Sequence, residues 1–184
     1  MGKAQTPPEK VRETAAAPTS PAPPRDSRAA RGLSGTSFGD ARDPAAWVAT
    51  VRGLAAQSEL AAADRACLAG LEQYGTSAEL TYLHAAMLSA AGRWGDSVAA
   101  ARRAVYLDRM LVPAYTTLGT GLARLGDRNG ARRALGNAAR ILEAMPPEAI
   151  VPASDGEPAG QLARTVRLEI QRLSGDAGRV ASDR

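Results

Sequence analysis

Apolar and small positions recur along this chain at two intervals. Over short stretches they return every three or four residues, as in Tyr115, Leu118 and Leu122 or in Leu162, Val166 and Ile170, the spacing of one face of an α-helix. Over longer stretches they return after 34: Gly92 and Gly126, Ala104 and Ala138, and the series Ala63, Ser97 and Ala131. One unit of two helices has therefore been written three times, over 44–77, 78–111 and 112–145. The pattern predicts six antiparallel helices in three pairs and essentially no strand.

The small residues mark where helices must come close. Val51 with Ala63, Ala85 with Ser97, and Gly119 with Ala131 are placed to meet at the crossing of each pair, where large side chains would hold the backbones apart. Gly92 and Gly126 fall just past a first helix, where a left-handed residue closes the last turn. Asp43 before Pro44 predicts an N-cap followed by proline at the first helical position, and Ser77 and Asn129 are candidate caps of later helices.

This register resembles that of the tetratricopeptide family. The third unit carries Tyr115, Leu118, Gly119, Leu122, Gly126, Ala131, Leu135 and Ala138 at the pattern positions. The second keeps Ala85, Leu88, Gly92, Ser97 and Ala104, and the first keeps Trp47, Leu54 and Ala63, as a degenerate terminal copy would. The resemblance implies an all-α tetratricopeptide-repeat solenoid of three helix pairs. Its grooves are expected to bind protein segments.

The flanks differ in kind. Residues 1–43 scatter Pro7, Pro8, Pro18, Pro21, Pro23 and Pro24 among Ala, Ser, Thr and mixed charges without apolar period, so a disordered leader is expected there. After the repeats, Pro146 and Pro147 open a linker over 146–157 containing Asp155 and Gly156. A last helix over 158–174 follows, with Leu162, Val166, Ile170 and Leu173 on one stripe and Arg164, Arg167, Gln171 and Arg172 facing elsewhere. It is expected to cap the open end of the array, leaving 175–184 as a flexible tail.

A narrower resemblance rests on Arg103-Ala104-Val105-Tyr106-Leu107-Asp108, on Gly126-Asp127 leading into Ala131 through Ala138, and on the Pro-rich exit to Asp155-Gly156. Over roughly residues 58–174 this is similar to the repeat region appended C-terminally to some CheR-type chemotaxis receptor methyltransferases. Those carry Pro after Tyr-Leu-Asp where this chain has Arg109. The resemblance implies a docking or regulatory module, with a chemosensory component as partner, and not the methyltransferase itself.

Composition narrows the chemistry. With a single Cys67 the chain makes no internal disulfide, and with His84 as its one histidine it assembles no histidine metal cluster or histidine-based catalytic pair. Gly119-Thr120-Gly121 opens like a dinucleotide fingerprint, but it lies in a predicted helix and Arg124 takes the third glycine position. No catalytic residue, cofactor or metal is expected. No apolar run reaches the roughly 18 residues of a membrane span, no secretory signal is apparent, and a cytoplasmic protein is expected.

The net charge of +4 is modest, and Arg102, Arg103, Arg132, Arg133 and Arg140 belong to second helices on the expected convex face. With few aromatics free to stack on bases, nucleic acid is disfavoured. The expected binding surface is the concave one, where Arg52, Glu79, Tyr82, Ala86, Thr116, Thr120 and Arg124 fall on first helices. Arg52 and Arg124 suit a peptide of acidic character. Two readings stay open: a cytoplasmic adaptor that docks signalling proteins, and a repeat piece separated from a methyltransferase and acting beside its catalytic chain.

Overall fold

Schellman closures punctuate the chain at a fixed interval. The amides of Ser58, Gly92 and Gly126 donate to Ala55, Ser89 and Ala123, and those of Glu59, Arg93 and Asp127 reach back to Leu54, Leu88 and Leu122. All three central residues are left-handed, with φ of 63°, 73° and 84°. The first unit thus repeats the closure with serine in place of glycine. A three-residue turn after each of these helices sends the chain back antiparallel.

The computed structural model describes residues 43–182, with side chains through 175. Within them lie α1 (Pro44–Ala56), α2 (Leu60–Gln73), α3 (Ala78–Ala90), α4 (Trp94–Leu107), α5 (Val112–Arg124), α6 (Arg128–Glu143) and α7 (Ala159–Ser182). No strand occurs among the described residues; an isolated antiparallel bridge joins Ile150 to Pro158. The first helices start at Pro44, Ala78 and Val112, the residues from which the three units are counted. The expected disordered leader lies outside the described residues, apart from Asp43.

Helix starts follow side-chain chemistry. Asp43 accepts from the Ala45 amide at 2.9 Å with Pro44 at the first helical position, and Ser77 accepts from Leu80 at 3.3 Å. At α6 the cap is Asp127, which accepts from Gly130 at 2.7 Å. Asn129, the expected cap, lies inside the first turn instead, because the helix starts as soon as the chain leaves the Gly126 closure.

The crossings carry the smallest residues and the deepest burial. Ala63, Ala85, Ser97 and Ala131 are fully buried and Val51 nearly so. The Ser97 hydroxyl donates to the Ala85 carbonyl at 2.8 Å, so the one polar crossing residue is satisfied across the pair. Cys67 is likewise buried, its thiol 3.3 Å from the Leu80 carbonyl. Burial and the Asp64 carboxylate push that thiol up to about 12, which leaves it protonated and structural.

Helices pack in chain order, each on the next, except for two skips: α1 touches α3 and α3 touches α5, with no comparable contact between α2 and α4 or between α4 and α6. First helices therefore pack on one another along one side of the array, and second helices do not. At the open end α7 packs on α6, burying Val166 and Ala163 against Leu142, Ile141 and Val112, with Leu162, Ile170 and Leu173 beside them. This is the expected capping stripe. The helix runs on to Ser182, past the expected end at 174, since Gly175 lowers helix propensity by about 1 kcal/mol without removing a backbone hydrogen bond.

Candidate functional site

Three of the seven expected groove residues meet around one guanidinium. Arg52, on the third turn of α1, is half-buried and pairs through Nη2 with Glu79 at 3.0 Å on the first turn of α3. Tyr82, one turn further along α3, packs with Ala104, Leu111 and Ala114. Burial raises its phenol above the ordinary 10.0, with Arg52 opposing and Asp155 and Glu79 adding to the rise.

The other four lie further along the wall. Ala86 is half-buried on the second turn beyond Glu79, and the Thr116 hydroxyl is turned back on its own helix, donating to Pro113 at 2.9 Å. Thr120 and Arg124 are exposed at the end of α5. The Arg124 guanidinium stands 5.2 Å from the ring centroid of Trp94 at the start of α4, a cation–π contact. The structure thus brings Arg52, Glu79 and Tyr82 together and commits Arg124 to a partner on a second helix.

Two residues that sequence reasoning left in the linker belong to this cluster. Asp155 accepts from Arg52 Nη1, and the Ala153 carbonyl accepts from Arg52 Nη2 at 3.1 Å. The side chain of Ala153 lies with Tyr82 on the small patch formed by Ala104, Leu111 and Ala114. The segment after α6 therefore folds back across the array and lays its tip against Arg52 of α1 and Tyr82 of α3. No local signal announces this, because the two partners of the contact stand about a hundred residues apart in sequence.

The returning segment is built to hold its shape. Ala159 donates to Ala149 at 2.8 Å and Val151 to Glu157 at 3.0 Å, closing a neck. Ser154 stitches the inside, its hydroxyl donating to Val151 at 2.8 Å. Val151 is buried in the core of the last repeat. Within the tip, Ala153, Asp155 and Gly156 all adopt positive φ, of 62°, 56° and 89°.

Among the described residues no group of His, Cys, Asp and Glu is arranged to hold a metal ion, and no described helix is long and apolar enough to cross a membrane. His84 is half-buried on α3, and the arginines of the second helices, Arg102, Arg103, Arg132, Arg133 and Arg140, are all exposed. The cluster sets a fixed guanidinium beside a small apolar patch.

No protein-family model and no curated protein matches the chain. Solved structures do. The Yersinia enterocolitica type III secretion translocator chaperone SycD is similar at a TM-score of 0.63 and 10% identity, over 73% of this chain and 85% of that one. PcrH in complex with the chaperone binding region of PopD follows at 0.61 and 14%, over 72% and 92%. The first tetratricopeptide domain of Spaghetti (RPAP3), bound to the HSP90 peptide SRMEEVD, gives 0.55 and 13%, over 72% and 96%. At such identities the likeness speaks for the fold alone, and the fold is that of the tetratricopeptide-type helical repeat proteins.

Proposed function

We propose that this chain is a non-catalytic protein-binding module whose concave groove, walled by α1, α3 and α5, takes a segment of a partner protein. The observation that carries the reading is the Arg52 cluster: a guanidinium held in place by Glu79, next to Tyr82 and a patch of small apolar side chains. Arginine and tyrosine supply fixed, amphipathic anchors of the kind that dominate recognition surfaces. The similar structures support it. SycD has been solved with a peptide of the translocator YopD, PcrH with a region of PopD, and the RPAP3 domain with a peptide rich in acidic residues.

The proposed setting is the cytoplasm, with a chemosensory protein as partner. That assignment stands on the sequence resemblance to the CheR-associated repeat region, and the similar structures named above do not bear on it. The second reading, a regulatory piece acting beside a methyltransferase chain, is favoured by the same resemblance. Asp155 of the Asp155-Gly156 pair that carries it is also the residue that reaches Arg52.

The test is partner capture with the intact chain and with an Arg52→Glu/Arg124→Glu variant. Loss of the partner with unchanged helical content supports the groove. A partner held as tightly by the variant moves the site to the second helices or to α7.

A further inference from the structure

The groove already has an occupant. The tip over 152–156 supplies three things to the concave face: a carboxylate on Arg52 Nη1, a backbone carbonyl on Arg52 Nη2, and a methyl group on the Tyr82 patch. Those are the elements by which a short acidic peptide would be read: a small side chain, its own carbonyl, and an acid two residues on. We propose that the loop is a resident stand-in for the partner, and that the partner is an acidic segment with a small residue two places before a carboxylate, which binds by displacing it. The inference rests on the groove being the binding site and adds both the chemistry of the ligand and a built-in competitor.

Geometry favours displacement over a permanent seal. The neck stays closed by its own hydrogen bonds and by Val151 in the core, so the tip can leave without unravelling the end of the array. The Asp155 side chain is 80% exposed where Arg52 is only 25% exposed, so the contact is covered on one side and open to water on the other. An ion pair of that kind contributes little net stability and is readily exchanged for another carboxylate. When the tip leaves, Glu79 still pairs with Nη2, and the Nη1 edge faces the groove for an incoming acid.

A resident occupant lowers the apparent affinity of any competitor by the fraction of time the groove is free. The experiment compares the full chain with Asp155→Asn, which removes the charge while keeping a residue that tolerates positive φ, and with Arg52→Gln. The probe is a fluorescein-labelled dodecapeptide carrying Ala-Ser-Asp in an acidic context, read by anisotropy, with an Ala-Ser-Asn version as control. The expected result is about threefold to fivefold tighter binding to Asp155→Asn than to the original, weak binding to Arg52→Gln, and weak binding of the control peptide. Equal affinity of the original and Asp155→Asn, both dependent on Arg52, overturns the resident-occupant inference and leaves the groove standing. Equal binding of the two peptides overturns the acidic specificity. Absence of binding, or binding indifferent to Arg52, overturns the groove as well.

Discussion

Adding one methyl group at two glycines should change stability in opposite directions. A Cβ built on Gly119 stands 2.7 Å from Leu135 Cγ and 2.8 Å from Cδ2, with the Ala131 carbonyl at 3.4 Å. Ordinary carbon contacts lie near 3.5–4.0 Å, and Leu135 has nowhere to retreat because it is packed in the core under α7. Overpacking of this kind costs about 1–3 kcal/mol, against a helix-propensity gain for alanine of at most about 1. Gly119→Ala should therefore lose about 1–2 kcal/mol, and Gly119→Leu several. Gly136, exposed on α6, has nothing within 4 Å of its built Cβ, so Gly136→Ala keeps the propensity gain of up to about 1 kcal/mol. Thermal melts followed by circular dichroism resolve this, at about 3–5 °C per kcal/mol for a domain of this size. Arg133→Ala, on the exposed face, serves as the neutral control. Equal shifts at the two glycines, or a higher melting temperature for Gly119→Ala, would refute the assigned crossing and with it the register of the last repeat.

Ser58→Gly should stabilise the first repeat by about 0.5–1 kcal/mol, because it relieves a left-handed serine at the position that Gly92 and Gly126 fill, less the entropy glycine loses on folding; a lower midpoint in urea contradicts this. Stability should also fall in alkali. Between the ordinary 9.0 and the raised value of about 12 for Cys67, the unfolded chain gives up the thiol proton and the folded chain keeps it, so unfolding becomes easier by up to about 1.4 kcal/mol per pH unit. Tyr82, also raised by burial, adds in the same direction above its ordinary 10.0. Urea midpoints at pH 8 and pH 10.5 should separate less in Cys67→Ala than in the original chain; an equal separation assigns the loss elsewhere.

The repeat register was legible because close helix crossings leave few choices of side chain. Ala63, Ala85, Ser97 and Ala131 are small for one physical reason, and Gly92 and Gly126 have to take positive φ. Ser58 was hidden because a polar residue tolerates the same left-handed turn at a modest cost, so its place in the series shows only in the backbone. Asn129 and Asp127 are both capping residues two apart, and only the geometry of the turn selects between them.

Tertiary contacts were less legible than helices. Arg52, Glu79 and Tyr82 could be assigned to one face by counting positions, since helical spacing fixes which side chains share a side. Counting could not show that Arg124 turns to Trp94, because both are amphipathic and the choice depends on the approach of α4 to α5. Nor could it place Asp155, whose loop carries no period and whose partner is on the opposite end of the chain.

The most direct test of the binding surface is an amide chemical-shift map of the full chain titrated with a captured partner's segment. The account predicts perturbations along α1, α3 and α5, centred on Arg52, Glu79 and Tyr82, together with Ala153 and Asp155 as the loop tip is displaced. Perturbations confined to the exposed arginine faces of α4 and α6, with Arg52 and Tyr82 unmoved, would contradict it.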